Sequence, residues 1–144
     1  MQEGQWIIRE ASAEAVRDMR HKVLRPHQDR NECCYPYDDC EESIHLELIA
    51  GSRQVAVLSA LSEEGVYRLR GMAVEAEYRS LGMGKLLLLE LKRKLLERGE
   101  SYLWCNGRKG AMKFYSSLGW EVTRGPFEVE GIGTHWRLQW DLNK

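Results

Sequence analysis

The stretch that decides the fold is Val-Glu-Ala-Glu-Tyr-Arg-Ser-Leu-Gly-Met-Gly-Lys, residues 74–85. It lies between an apolar segment and a leucine-rich one, which predicts a strand, a loop and a helix in succession. At such a corner the first N–H groups of the helix lack partners, and the helix dipole adds about half a positive charge. Gly82 and Gly84 have no Cβ, so an anion can approach the bare amides, and Arg79 and Lys85 can add ionic contacts. These features predict a phosphate or pyrophosphate site.

The Gly-x-Gly spacing alone does not identify the ligand, because a tight strand-to-helix turn also uses glycines for backbone geometry only. The dinucleotide fingerprint G-x-G-x-x-G is absent, since Leu87 occupies the position of the third glycine. The P-loop pattern is absent as well, since no Gly-Lys-Ser/Thr follows a glycine at the required distance.

Length and composition predict one globular domain over residues 1–144. The chain is 43% hydrophobic and 30% charged, and 144 residues can bury a full core. A net charge of −1 argues against a binder of duplex nucleic acid. The aliphatic run 86–89 is too short to span a bilayer, and residues 1–6 do not resemble a signal peptide, so we expect a cytoplasmic protein without a membrane partner.

The four cysteines are interpreted as free thiols. Cys33, Cys34 and Cys40 share one segment, Cys105 stands apart, and no C-x-x-C pair exists. Although two histidines lie nearby, adjacent cysteines rarely converge on one metal ion. We therefore expect no metal site, and the sequence assigns no role to the cysteine-containing segment.

Hydrophobic periodicity predicts a mixed sheet with helices packed on it. Residues 26–43 are polar and predict a loop with a short helical piece. This loop either takes part in ligand recognition or only connects the neighbouring elements. Short turns between successive strands favour antiparallel neighbours. Strands are predicted over residues 6–9, 44–50, 53–62, 66–74, 102–105, 120–123 and 136–142. Helices are predicted from the Ser12 cap through Val23, over 83–98 with Gly99 as the terminator, and over 111–118.

Two apolar patterns bear on packing. The alternation of apolar and polar residues over 136–142 is typical of a strand. Its two tryptophans predict either that the strand is a sheet edge that pairs with a second copy in a homodimer, or that other parts of the same chain bury them. In the second predicted helix, a stripe faces the core. It consists of Leu87, Leu88, Leu91 and Leu95, widened by Leu86 and Leu96.

The segment 79–84 resembles the R/Q-x-x-G-x-G/A loop of the GNAT superfamily of acetyl-CoA-dependent N-acetyltransferases. Residues 74–79 are similar to the lead-in Val-x-Pro-Glu-Tyr-Arg, with Ala76 in place of proline, which loosens the loop slightly. Ser80 replaces a common glycine at a position where we expect many residues to fit. Downstream, Asn106 after its strand and the pattern over 111–120 resemble the family's second motif.

This resemblance, which covers about residues 66–123, implies an α+β fold whose central, mostly antiparallel, partly splayed sheet of about seven strands carries helices on both faces. It implies that the amides of 81–85 cradle the pyrophosphate of coenzyme A and that strand backbone binds the pantetheine arm, with Asn106 beside it. The implied cofactor-binding residues are Met72, Ala73, Val74, Arg79, Ser80, Leu81, Gly82, Met83, Gly84, Lys85 and Asn106.

The resemblance also implies that Tyr115 is the general acid for the leaving thiolate. In water, proton transfer from a phenol with a pKa of ~10 to the thiolate of a thiol with a pKa of ~8.5 is uphill by roughly 2 kcal/mol. A dry pocket shifts both values, so the gap can shrink, and we expect a modest role. The alternative is a core tyrosine beside Phe114.

The general base stays open at this point. An amine with a pKa near ~10.4 must lose a proton before it attacks. The candidates are Glu47, Glu75, His45, His135 or a water molecule, and Glu75 is expected to be a solvated surface acid, like Glu77.

Three functions follow as hypotheses. The first is an enzyme that transfers acetyl directly from acetyl-CoA to a primary amine of a small molecule or peptide. The second is a catalytically weak regulatory module that binds acetyl-CoA, and the third is an unrelated phosphate binder. The acidic residues within 38–42 attract a cationic amine or are simply solvated. A shorter resemblance, through 37–46 and 131–135, is to the ElaA-like branch of the superfamily.

Overall fold

The computed structural model describes residues 5–144, which divide into two compact units at Lys94/Leu95. The prediction that residues 1–6 are not a signal peptide involves Met1–Gly4, and these four residues lie outside the described part of the chain. Over 5–144, no helix is long and apolar enough to cross a membrane. The prediction that 1–144 is a single domain stays a prediction.

Seven strands and three α-helices confirm the predicted α+β class. The first unit contains β1 (Trp6–Glu10), α1 (Ala13–Met19), β2 (Ile44–Ala50), β3 (Arg53–Glu63) and β4 (Val66–Val74). Helix α2 (Met83–Glu97) begins in the first unit and ends in the second. The second unit contains β5 (Tyr102–Arg108), α3 (Met112–Ser117), β6 (Glu121–Val129) and β7 (Gly133–Asp141).

In the first unit the strands follow the order β1-β2-β3-β4, and each is antiparallel to the next. Helix α1 begins where the side chain of Ser12 accepts a hydrogen bond from the amide of Ala15 at 3.1 Å, as its capping position predicts. A π-helical turn, Arg20–Leu24, continues it, and the following loop contains the expected short helical piece, Arg30–Cys33. The inner face of α1 packs on the sheet through Val16, Met19, Val57 and Ala73.

Strand β4 contains a bulge near its end. Its pairing with β3 shifts register between Arg70 and Ala73, so Gly71 and Met72 together oppose one residue of β3. Gly71 has a φ of +65°, and a Cβ built there would lie 2.7 Å from Nε of Arg20. The bulge therefore requires glycine for both its backbone conformation and the close approach of Arg20.

Helix α2 buries a narrower stripe than predicted. Leu86 and Leu96 are 41% and 39% exposed, so the predicted widening of the stripe is wrong. The helix ends as expected at Gly99, which has a φ of +81°, and the Glu100 amide donates to the Leu95 carbonyl at 2.9 Å. The four central positions, Leu87, Leu88, Leu91 and Leu95, are fully buried.

In the second unit β7 lies in the middle of three antiparallel strands, in the order β5-β7-β6. The prediction that this strand forms a sheet edge that pairs with a second copy is therefore wrong. Of its two tryptophans, Trp140 is buried within the unit and Trp136 is half-buried. Trp140 stacks on Trp120 at 5.3 Å between ring centroids and donates Nε1–H to the Leu118 carbonyl at 3.0 Å. Strand β5 is longer than predicted, so Asn106 lies inside it rather than after it.

The bulge generates a stability prediction. We expect Gly71→Ala to lower the free energy of unfolding by about 2–4 kcal/mol, because a left-handed conformation and the contact with Arg20 both oppose a side chain. Gly51→Ala is the matched control, since Gly51 has a φ of +66° and nothing within 4 Å of an added Cβ. Urea denaturation of both variants measures the difference. Equal losses would show that Arg20 does not constrain the bulge.

Candidate active site

The corner between β4 and α2 presents a run of unpaired backbone donors. Within the described residues, none of the N–H groups from Leu81 to Lys85 donates to a protein acceptor, and the next amide, that of Leu86, bonds the Gly82 carbonyl at 3.0 Å. Gly82 has a φ of +82°, and a Cβ placed on it would meet nothing within 4 Å. The corner is open and has the donor geometry of an anion site.

The side chains beside this corner are partly as expected. Ser80 has a φ of +68°, so the expectation that many residues fit there is wrong, because this conformation favours glycine. Arg79 is exposed, and its Nε donates to the Val74 carbonyl at 3.1 Å, which ties the loop to the end of β4. Lys85 is exposed, and Ala76 begins a 3₁₀ turn, Ala76–Tyr78.

Glu75, expected to be solvated, is only 4% exposed. Its carboxylate is paired with Lys22 and with Arg53, whose Nη2 lies 2.5 Å from Oε2. Glu77 is exposed as expected and pairs with the same Arg53. The prediction failed for Glu75 because pairing from distant parts of the chain allows a carboxylate to be buried.

A buried ion pair lies beneath the β4 bulge. The guanidinium of Arg20, which has no exposed surface, donates to both oxygens of Asp38, at 2.7 and 2.9 Å. It also donates to the Cys33 carbonyl and to the Ser59 hydroxyl, both at 2.8 Å. Asp38 is therefore structural, and the acidic stretch 38–42 offers less free negative charge than its sequence indicates.

His45 completes this cluster. Its Nδ1 lies 2.6 Å from the Ser59 hydroxyl and its Nε2 lies 2.9 Å from the Asp38 carbonyl, so Nε2 carries the proton and Nδ1 accepts. Burial lowers the pKa of His45, which outweighs the attraction of Asp38. Burial alone would raise the pKa of the Asp38 carboxyl, but the hydrogen bonds from Arg20 and the Tyr35 amide hold it below its usual range.

The second unit contains a cavity of about 500 Å³ on one face of its sheet. Asn106 projects from β5 towards this cavity, two residues after Trp104, as the alternation of strand side chains requires. The lining residues are Trp104, Asn106, Arg124, Gly125, Pro126, Phe127 and Arg137.

Tyr115 lies on the opposite face of the same sheet. It is 8% exposed, its ring packs edge-on against Trp120 at 5.0 Å between centroids, and its hydroxyl is hydrogen-bonded with the Cys105 thiol. Burial raises the pKa of the phenol well above its usual value, and Cys105 adds to the effect. Tyr115 therefore stays protonated at neutral pH, as a proton donor requires.

The candidate bases differ in what their lone pairs contact. The carboxylate of Glu47 accepts from Arg9 at 2.8 Å and from Gln54 at 2.7 Å, and both ring nitrogens of His45 are engaged. In His135, Nδ1 lies 2.9 Å from the Gly133 carbonyl and must carry the proton. Its Nε2 makes no hydrogen bond with the residues from 5 to 144.

Sequence reasoning missed the arginines. Arg20 has no motif, and only its place on the inner face of the first predicted helix distinguishes it from solvated arginines. Arg124 and Arg137 were missed because the sequence does not show which strands are neighbours. The alternation of Arg137 with two tryptophans was a signal that its side chain faces away from them.

Comparisons with known proteins agree with this geometry. The family model of the Acetyltransferase (GNAT) domain matches residues 7–139. A Bacillus subtilis (strain 168) protein described as "Uncharacterized N-acetyltransferase YitI" is 36% identical over 135 residues, which is 89% of this chain and 91% of that protein. The chain therefore belongs to the GNAT acetyltransferase family and is an acyltransferase.

Solved structures show the same fold. The crystal structure of an aminoglycoside 6'-N-acetyltransferase complexed with coenzyme A aligns with a TM-score of 0.78 at 14% identity, over 94% of this chain and 97% of that one. Escherichia coli ElaA aligns with a TM-score of 0.71 at 15% identity, over 94% and 99% of the two chains. The predicted GNAT-like fold is thus confirmed.

The buried cluster generates a pH prediction. Because the pKa of His45 is lowered from its ordinary 6.5 in the folded state, the unfolded chain binds the proton first as pH falls. Its stabilising contribution is thus present above about pH 6.5 and lost as pH falls through the folded pKa. We expect the Tm of the protein to fall from pH 7 to pH 5 and expect His45→Gln to flatten that slope. His27→Gln, at an exposed histidine, should leave the slope unchanged; equal slopes in all three proteins would remove His45 from the account.

Proposed function

We propose that this protein transfers an acetyl group from acetyl-CoA to a primary amine within a ternary complex. The observation that carries the proposal is the run of unpaired amides from Leu81 to Lys85, which coincides with the segment that resembles the family's phosphate loop. A diphosphate offers several anionic oxygens to those donors and to the positive end of the α2 dipole.

The rest of the cosubstrate is proposed to lie along the end of β4. In this proposal the backbone of Met72, Ala73 and Val74 binds the pantetheine arm like an added strand. Met72 forms the bulge together with Gly71, and Ala73 and Val74 follow it, so regular pairing with β3 is interrupted at the start of this segment. Asn106 is proposed to contact the arm from β5, and Arg79, Ser80 and Lys85 to contact the phosphates.

For the chemical step, the neutral amine attacks the thioester carbonyl and the thiolate leaves with the electron pair of the broken C–S bond. We propose that Tyr115 supplies the proton to the sulfur. Its raised pKa keeps the proton available but makes the phenol a weaker acid, so the transfer is favourable only where the thiolate is also poorly solvated. For this step the O–H of Tyr115 must point at the sulfur of coenzyme A. Its hydrogen bond with Cys105 therefore either breaks or has the phenol oxygen as the acceptor.

His135 is favoured as the general base among the side-chain candidates. Glu47 and Nδ1 of His45 accept hydrogen bonds from other side chains, and the carboxylate of Glu75 is held in ion pairs with Lys22 and Arg53. Nε2 of His135, in contrast, has no hydrogen bond within the described residues. A water molecule held by backbone carbonyls stays an alternative to His135.

Gly82→Asp tests the phosphate site. We expect it to weaken acetyl-CoA binding by about 10²-fold or more, because a carboxylate near the diphosphate adds like-charge repulsion worth several kcal/mol. Gly65→Asp is the matched control, since Gly65 has a φ of +84° in a turn and is equally open. Isothermal titration calorimetry measures both affinities. Unchanged binding in Gly82→Asp would contradict the proposed site.

Tyr115→Phe tests the general acid. We expect kcat to fall about 10²-fold, within the usual contribution of general acid catalysis, while the Kd of acetyl-CoA changes little. Tyr102→Phe, at the start of β5, is the control. Thiol release with a panel of amines measures turnover. An unchanged kcat would remove Tyr115 from the mechanism, and tight cosubstrate binding without any turnover would favour the regulatory module.

A further inference from the structure

The cavity of the second unit is cationic and its charges are unbalanced. Arg124 and Arg137 are directly opposite each other in the pairing of β6 with β7, an arrangement that costs stability when nothing compensates it. No carboxylate is present among the seven lining residues. Neither guanidinium forms an ion pair or a hydrogen bond with any residue from 5 to 144.

Arg137 is held in place without using its hydrogen-bond donors. Its guanidinium carbon lies over the Trp104 ring, 4.0 Å from the ring centre, in a cation–π contact. This contact uses no hydrogen bond of the guanidinium, so its N–H donors remain available as a fork. A carboxylate matches that fork with two parallel hydrogen bonds.

The rest of the lining fits a small molecule. Asn106 is the residue of β5 that pairs with Arg137, and its amide adds a donor and an acceptor beside the guanidinium. Trp104, Pro126 and Phe127 supply apolar walls, and the volume lies in the range of small-molecule sites.

We propose that the acceptor is a small amine that carries a carboxylate, as an amino acid does, and that Arg137 binds the carboxylate with support from Arg124. This inference rests on the proposed acetyl transfer and names its acceptor class. The unpaired arginines disfavour a polycationic acceptor in the same cavity. Asp38, the buried member of the acidic stretch, is already neutralised by Arg20 and gives such an amine no alternative anchor.

The experiment compares L-amino acids with their carboxamides, which keep the amine and lose the charge. Thiol release at saturating acetyl-CoA gives kcat/KM for each pair in the wild type, Arg137→Gln and Arg137→Lys. Arg93→Gln is the matched control, because Arg93 lies on exposed α2 surface and pairs with Glu90. Calorimetry with acetyl-CoA on every variant reports folding and the state of the cosubstrate site.

We expect the wild type to prefer an amino acid over its carboxamide by about 10–100-fold in kcat/KM, as a charge-assisted hydrogen-bond pair provides. Arg137→Gln should abolish that preference, because kcat/KM should fall for the amino acid and stay unchanged for the carboxamide. Arg137→Lys should keep only part of the preference. The affinity for acetyl-CoA should stay unchanged in both variants. Arg93→Gln should match the wild type.

Three outcomes overturn the inference. The first is equal or better turnover of the carboxamides by the wild type. The second is acetyl-CoA binding without turnover of any carboxylate-bearing amine. The third is a loss of acetyl-CoA affinity in Arg137→Gln with the substrate preference intact, which would assign the arginines to the cosubstrate phosphates. Loss of acetyl-CoA binding by the wild type, in contrast, would refute the proposed function itself.

Discussion

The structure of the first unit depends on the burial of one guanidinium. A charged group that is buried away from water is stable only when it is paired and hydrogen-bonded. Arg20 pairs with Asp38 and also donates hydrogen bonds to the Cys33 carbonyl and to Ser59. These partners come from the loop after α1 and from β3, so the ion pair fixes the loop to the sheet. The same side chain lies against Gly71 and thereby shapes the end of β4. A residue of the π-helical turn that continues α1 thus packs against the bulge that precedes the corner between β4 and α2.

The two proposed sites bind anions by different means. At the corner before α2 the donors are backbone amides, which need only the local conformation and tolerate varied side chains. In the second unit the donors are arginine side chains, whose fork selects a planar anion. A net charge of −1 conceals this distribution, because most cations elsewhere are neutralised in pairs, such as Glu75 with Lys22 and Arg53.

Local patterns made much of the fold predictable from the sequence. Ser12 caps α1, the strands of the first unit lie within about a residue of their predicted limits, and the corner at Gly82 separates β4 from α2 as its spacing indicates. What failed depends on contacts distant in sequence. The central position of β7, the exposure of Leu86 and the burial of Glu75 are set by neighbours that periodicity does not reveal.

The candidate site, like the fold, could be predicted from the sequence only in part. The motif located the unpaired amides but did not reveal the left-handed conformation of Ser80, and it placed Asn106 after a strand that in fact contains it. The carboxylate-binding role proposed for Arg137 could not be predicted, because it arises from cross-strand pairing with Arg124 and from the cation–π contact with Trp104.

The central claim is that backbone amides of the corner hold the diphosphate, and amide-resolved NMR tests it most directly. Titration of the ¹⁵N-labelled protein with acetyl-CoA should shift the amide proton resonances of Leu81–Lys85 downfield as they form charge-assisted hydrogen bonds. The exposed turn at Gly65 should not respond. Saturation with acetyl-CoA that leaves the five corner amides unshifted would contradict the account.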